Sequence, residues 1–174
     1  MREHLTKQVP GVFAPVWVVY LFASALLFQS FHTLEHLIQL YQHAVLGIDI
    51  IHAHGLLFFF DTEWIHFLFN TSYLTCLFII FFGIGLHKKK VRTILPTMYA
   101  AGFIFLIGFE IWHVMEHVTR LYQHLDSGCQ PCRGIFGQLV DVLYLHTFYN
   151  STVSILSLIT FFNFGFAKRF WQLL

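Results

Sequence analysis

Charged residues are scarce in this sequence. Only 11% of its 174 residues are Asp, Glu, Lys or Arg, whereas 57% are hydrophobic; an average soluble domain has about 25% charged residues. The formal net charge is +1 with histidine neutral, so the chain lacks a field that would attract nucleic acid or strongly anionic substrates. A mean hydropathy of +0.66 indicates a membrane protein instead.

The sequence also leaves little room for a soluble module. Four apolar stretches cover about residues 15–46, 56–86, 94–125 and 136–167. Each exceeds the roughly 20 residues that a spanning helix needs. The first stretch has no small-residue cleavage pattern, which predicts an uncleaved first span. We therefore expect an all-α integral membrane protein with four transmembrane helices and a single membrane domain over residues 1–174.

The distribution of basic residues predicts the orientation of the spans. One group lies at the chain ends and between the second and third spans: Arg2, Lys7, Lys88, Lys89, Lys90, Arg92, Lys168 and Arg169. The other two connections, at 47–55 and 126–135, contain only Arg133. The positive-inside rule then puts both termini in the cytoplasm. With 22 phenylalanines, the surface is expected to face the lipid bilayer and either other membrane subunits or further copies of the chain.

Two segments of the chain resemble each other. Residues 28–43 read FQSFHTLEHLIQLYQH and residues 109–124 read FEIWHVMEHVTRLYQH, with eight of sixteen positions identical at an offset of 81. The match resumes on the next span at an offset of 80, in the pairs Asp61 and Asp141, His66 and His146, and Asn70 and Asn150. The chain is therefore predicted to be a tandem duplication of a helical hairpin.

The predicted repeat 1 covers about residues 13–86 and repeat 2 about 94–167, with a basic cytoplasmic loop at 87–93 between them. Each repeat has two spans, so both repeats run in the same direction across the membrane. Such an arrangement predicts a pseudo-two-fold axis along the membrane normal.

Histidine is frequent for so apolar a chain, with twelve residues. A histidine that faces lipid is costly, so these side chains need water, one another or a metal ion. On the first and third spans, polar residues recur at intervals of 3, 4, 3 and 4, which puts them on one helix face. The two stripes are Gln29, His32, His36, Gln39 and His43, and Glu110, His113, His117, Arg120 and His124. We expect both to face the bundle interior in its extracytoplasmic half.

Two histidine triads are the predicted metal ligands: His32, His36 and His66 in repeat 1, and His113, His117 and His146 in repeat 2. In each triad an i, i+4 pair aims two imidazoles at one point, and the neighbouring helix supplies the third. Nitrogen ligands toward an oxidising compartment favour copper, with iron or zinc next. The triads form either one dinuclear centre or two separate sites. The alternative is that the histidines only hydrogen-bond across helices and hold the bundle together.

Glu35 and Glu116 complete a His-x-x-Glu-His string in each repeat. The string is similar to the motif of inverted zinc proteases, in which the glutamate is the base, although nothing else in the sequence supports proteolysis. We predict a catalytic role for both glutamates, by bridging metal ions or by orienting a histidine, with contact to a neighbouring helix as the alternative. Arg120 is expected to neutralise Glu110 or Glu116, because a buried charge needs a partner.

Further polar residues lie at the predicted outer ends of the helices. Asp61 and Asp141 are expected to cap the second and fourth helices, with metal ligation as the alternative role. Cys129 and Cys132 form a CQPC sequence in the last connection. A disulfide is one interpretation of this pair, and an outer metal site shared with the IHAHG segment at 51–55 is the other.

These patterns predict a membrane-embedded metalloprotein with redox or oxygen chemistry, or a subunit of a membrane oxidase or monooxygenase assembly. A haem b cytochrome is one alternative, although bulky residues such as Phe28 and Trp112 beside the stripes leave little lateral room for a porphyrin. A metal or proton transporter is another, although the apolar inner halves of the spans offer no polar path. A non-catalytic assembly or metal-sensing subunit is the third.

Overall fold

The computed structural model describes residues 14–57, 62–88, 91 and 97–174, and every element in these ranges is helical. Four long helices form a bundle: α1 (Val16–Ala44), α2 (Glu63–Gly83), α3 (Thr97–Ser127) and α4 (Val142–Asn163). Turns of 3-10 helix, Ile50–His52 and Phe136–Gln138, lie in the α1–α2 and α3–α4 connections, and a short helix, α5 (Phe166–Trp171), follows α4. The predicted all-α fold with four spans is confirmed.

The four long helices are long and apolar enough to cross a membrane. Large apolar side chains on the outside of the bundle, such as Leu27, Leu68, Phe105 and Phe148, are more than half exposed. Such a surface suits lipid tails, while helical backbone groups satisfy one another within each span. The chain is therefore an integral membrane protein.

Each long helix packs chiefly against a helix of the other repeat. The largest contacts are those of α1 with α4 and of α2 with α3, and the contacts within each hairpin are smaller. Exchanging the two predicted repeats would convert the α1–α4 pair into the α3–α2 pair, and the duplication stays a prediction. The pseudo-two-fold axis itself stays a prediction.

The interior of the bundle has an apolar half and a polar half. Phe22, Leu77, Ile80, Phe103 and Phe164 are fully buried in one hydrophobic cluster near the α1 start, the α2 end and the α5 junction. The opposite half buries the polar stripes of α1 and α3 together with polar residues of α2 and α4. The apolar half corresponds to the apolar halves of the spans in the sequence, which offer no polar path.

Capping explains where α4 begins and ends. Hydropathy predicts a span from residue 136, but Asp141 accepts a hydrogen bond from the Leu143 N–H at 2.8 Å, so the helix begins at Val142. Gly165 adopts a left-handed φ of 75°, which separates α4 from α5. The predicted capping role of Asp141 is thus observed, whereas Asp61 lies outside the described residues.

Candidate metal centre

The six histidines predicted as ligands lie together in the buried polar half of the bundle. Each is at most 5% exposed. Within each triad, one ligand atom per histidine lies within 4.8 Å of the other two. The two triads are His32, His36 and His66, and His113, His117 and His146. The structure therefore brings together both triads that the sequence predicts, and each is positioned to bind a metal ion.

The two triads are also adjacent to each other. The imidazole rings of His66 and His117 are stacked with centroids 5.6 Å apart, and those of His36 and His146 are 6.1 Å apart. Within the triads, the i, i+4 rings are separated by 4.7 Å for His32 and His36 and by 4.9 Å in the other repeat. All six rings thus form one continuous cluster rather than two distant sites.

Backbone carbonyls orient the histidines that α2 and α4 contribute. Nδ1 of His66 lies 3.1 Å from the carbonyl oxygen of Thr62, and Nδ1 of His146 lies 2.8 Å from that of Val142. Because a carbonyl only accepts, Nδ1 carries the proton in both rings and Nε2 has the lone pair. In a metal-binding histidine, the ring nitrogen that does not bind the metal usually makes a hydrogen bond of this kind.

Ring nitrogens of His113 and His32 suit metal ligation. Nδ1 of His113 lies 3.3 Å from Oε2 of Glu110, so that Nε2 is the nitrogen on the side of the other histidines. Nε2 of His113 lies 3.2 Å from Nε2 of His117. Two nitrogens bound tetrahedrally at the usual distance to one zinc-like ion would be about 3.3 Å apart. Both ring nitrogens of His32 are buried without a hydrogen-bond partner among the described residues. Hydrogen bonding that merely holds the bundle together does not account for His32, since an unsatisfied buried polar group is costly.

Glu35 and Glu116 contact the loops that cover the centre. Oε1 of Glu35 accepts a hydrogen bond from the Leu57 N–H at 2.8 Å. Oε1 of Glu116 accepts one from the Ile135 N–H at 2.8 Å and another from the Phe136 N–H at 3.2 Å. The two glutamates therefore anchor the loop that follows α1 and the loop that follows α3. Their catalytic role stays a prediction.

Two glutamines hydrogen-bond to the same loops, a role that the sequence pattern did not predict. Gln42 donates to the Gly55 carbonyl at 3.2 Å and accepts from the Gly55 N–H at 2.9 Å. Gln123 makes the same pair of bonds with Gly134, at 3.3 and 2.8 Å. The signal was present in the sequence, because both glutamines belong to the repeated Leu-Tyr-Gln-His string.

The last histidine of each stripe binds a loop carbonyl instead of joining the cluster. Nδ1 of His43 donates to the Ile48 carbonyl at 2.8 Å, and Nδ1 of His124 donates to that of Cys129 at 2.7 Å. Cys129 and Cys132 form a disulfide. In this state the cysteines have no thiolates for an outer metal site, so the disulfide interpretation of the CQPC sequence is the one observed.

Arg120 forms a buried ion pair that the sequence analysis did not predict. Its Nη2 lies 2.6 Å from Oε1 of Glu63 on α2, and its Nη1 lies 2.9 Å from Nε2 of His146. The partner is thus Glu63 and not Glu110 or Glu116, the partners that the sequence predicts for this arginine. Glu63 could have been noticed as a charge at the start of an apolar span, but its meeting with α3 depends on how the helices pack.

A cavity of about 330 Å³ lies between the histidine cluster and the loops. Its polar lining includes histidines of both triads and the ion pair, namely His36, His66, His146, Glu63 and Arg120. Residues of the two connections, among them His54 and Pro131, line the other side. A small molecule that entered this cavity would reach both triads.

The fold and the site together define an integral membrane protein with two buried histidine triads, positioned to bind metal ions in an apolar four-helix bundle. Comparison with models of protein families, with curated proteins and with solved structures finds no match to this chain.

Proposed function

We propose that this protein is a membrane-embedded metalloprotein that holds two neighbouring transition-metal ions, one in each triad, for redox or oxygen chemistry. The observation that carries the proposal is the pair of adjacent triads, each with three buried imidazoles whose ligand atoms lie within 4.8 Å of one another. Structural metal sites are normally closed by four protein ligands, whereas three ligands leave a position for an exogenous molecule. The cavity that reaches His36, His66 and His146 supports an open position of this kind.

Copper is the metal that the ligand set favours, followed by iron and zinc. Both triads offer only imidazole nitrogen, which suits copper, iron and zinc but not magnesium or calcium. Copper or iron would supply one-electron chemistry and an ability to bind dioxygen. The chain's own residues would hold the ions, orient the imidazoles through Thr62 and Val142, and separate the centre from bulk water with the two loops.

A role within a larger membrane oxidase or monooxygenase assembly is part of the same proposal. The outer surface of the bundle is rich in exposed aromatic side chains, including Trp17, Trp64, Phe82 and Phe148. Aromatic side chains are frequent where membrane helices meet partners or apolar ligands. Partner helices or further copies of the chain would fit this surface. We place the centre toward the extracytoplasmic side on the basis of the positive-inside rule.

Metal content of the purified protein tests the proposal. The wild type, dialysed to equilibrium against Cu²⁺, is expected to hold two ions per chain above the free metal of the buffer, as measured by elemental analysis. His36→Ala and His117→Ala each remove one ligand of a different triad, and His52→Ala removes an exposed imidazole outside both triads as a matched control. We expect the control to keep the wild-type metal content and the double variant His36→Ala/His117→Ala to lose both ions.

The single variants distinguish a shared centre from two independent sites. Loss of both ions in each single variant indicates one dinuclear centre, and loss of one ion in each indicates separate sites. Full occupancy in the double variant would reject these histidines as ligands. A Soret band in the spectrum of the protein as isolated would replace the proposal with a haem b cytochrome.

A further inference from the structure

The two repeats differ in charge at one pair of matching positions beside the cluster. Arg120 of α3 occupies the position that Gln39 has in α1, at the offset of 81. Glu63 of α2 occupies the position that Leu143 has in α4, at the offset of 80. Because α2 packs on α3, the two charged residues meet, whereas the matching positions on α1 and α4 carry a neutral amide and an apolar side chain.

The Arg120–Glu63 ion pair is buried in the interior and held by further hydrogen bonds. Both side chains are buried, with relative exposures of 6% and 4%, and their charged atoms are 2.6 Å apart. The same Glu63 oxygen also accepts a hydrogen bond from the Cys132 N–H at 3.2 Å. A buried ion pair held by further hydrogen bonds has a defined geometry, since either charge left alone would be strongly destabilising.

The other end of the guanidinium contacts the second triad directly. Nη1 of Arg120 lies 2.9 Å from Nε2 of His146. Nδ1 of this histidine already donates to the Val142 carbonyl, so Nε2 has the lone pair, and a guanidinium can only donate. The nitrogen with which His146 would bind a metal ion therefore accepts a hydrogen bond from a permanent cation.

We propose that Arg120 makes the two triads unequal: the first triad holds the tightly bound ion, and the second binds an ion only when Arg120 leaves His146. This inference rests on the proposed function. A metal ion in the second triad must displace the hydrogen bond from Nη1 of Arg120 and lie close to a positive charge, which lowers the affinity for the ion. The cavity that both Arg120 and His146 line gives the guanidinium space into which it can move. The second triad is thus a site for an exchangeable cation beside a resident one.

Stepwise metal affinities test this inference. The full-length protein in detergent is titrated with Co²⁺ against a chromophoric chelator, and the two dissociation constants are measured. We expect them to differ by about 10- to 100-fold in the wild type, the range in which groups around metal ligands alter affinity. His36→Ala should remove the tight step, and His117→Ala should remove the weak one.

The decisive variant is Arg120→Gln, which introduces the residue that repeat 1 has at this position. Arg120→Gln should lower the dissociation constant of the weak step toward that of the tight step. Arg120→Lys, which keeps a cation, should preserve most of the difference between the two constants. A wild-type ratio of the two constants in Arg120→Gln would overturn the inference, as would loss of the tight step in His117→Ala. Absence of Co²⁺ binding in every variant would overturn the proposed function as well.

A second variant covers the case in which Arg120→Gln does not fold, because it leaves Glu63 buried without its partner. The double variant Gln39→Arg/Leu143→Glu puts the same ion pair at the matching positions of the other helix pair. It should weaken the tight step by a similar factor and leave the weak step in place. Unchanged affinity of the first triad in this variant, with the protein folded, would overturn the inference.

Discussion

At the scale of single residues, Glu35 and Glu116 show how a repeated motif serves the loops next to a site. Each glutamate precedes a ligand histidine by one position, so its side chain leaves the helix on a different face from the triad. There the carboxylate accepts backbone N–H groups of the following loop. A carboxylate is a strong acceptor for such groups, and burial strengthens the bond.

Substitution of Glu35 tests whether this residue anchors the loop or takes part in catalysis. Glu35→Ala should lower the free energy of unfolding by about 1 to 3 kcal/mol, because the Leu57 N–H loses its acceptor. Glu35→Gln keeps an acceptor oxygen and should lower it less. Thermal unfolding in detergent measures both changes, and metal content at saturating Cu²⁺ should equal that of the wild type in both variants. A folded Glu35→Gln protein that loses its metal or its redox activity would instead support the predicted catalytic role.

At the scale of structural elements, the two connections on the side of the cluster are held by matching contacts despite different sequences. Gly55 has a φ of 72° and Gly134 a φ of 71°, a conformation that glycine adopts without steric cost. A Cβ atom at either position would collide with the carboxylate of Glu35 or Glu116 respectively. The backbone approaches the helix so closely that only glycine fits.

Alanine substitution of these glycines should reveal the close approach. Gly55→Ala and Gly134→Ala each force an L-residue into the left-handed region, at about 1 to 2 kcal/mol, and also displace a buried carboxylate. Gly47→Ala and Gly128→Ala are the matched controls, because they have φ values of 67° and 69° with nothing within 4 Å of the added Cβ. Unfolding temperatures should fall further for the first pair than for the controls. Equal losses in both pairs would contradict the close contact between loop and glutamate.

At the scale of the whole molecule, the two repeats depend on each other. The strongest helix contacts cross from one repeat to the other, and so do buried hydrogen bonds such as that from Gln29 Nε2 to Asn150 Oδ1, at 3.0 Å. The Arg120–Glu63 pair crosses in the same way. Each triad, in contrast, takes all its histidines from one repeat. Folding of the bundle therefore depends on contacts between the repeats.

Labelling of introduced cysteines tests the predicted orientation of this assembly. In a Cys76→Ser background, the remaining Cys129 and Cys132 are disulfide-bonded. Leu46→Cys, after α1, should react with a membrane-impermeant maleimide in intact cells. Lys88→Cys, after α2, and Leu174→Cys, at the chain end, should react only after permeabilisation. The reverse pattern would put the metal centre on the cytoplasmic side.

Much of the fold followed from the sequence because helix spans and helix faces are local properties. Hydropathy located all four spans, and α1 begins at Val16 and ends at Ala44, close to the predicted 15–46. The second and fourth spans begin later than hydropathy suggests, at Glu63 and Val142. Hydropathy measures only apolarity, and apolar residues of the connections, such as Leu56 and Leu139, extend the predicted spans beyond the helix starts.

The membership of each triad also followed from the sequence alone, while the duplication stays a prediction. An interval of four residues puts His32 and His36 on one helix face whatever surrounds the helix, and the repeat identifies His66 and His146 as matching residues. Only the tertiary structure decided that Glu35 turns to a loop, that Arg120 meets Glu63, and that this arginine contacts His146. Those contacts join residues far apart in the chain, so they depend on helix rotation and on the return path of each loop, which no local pattern specifies.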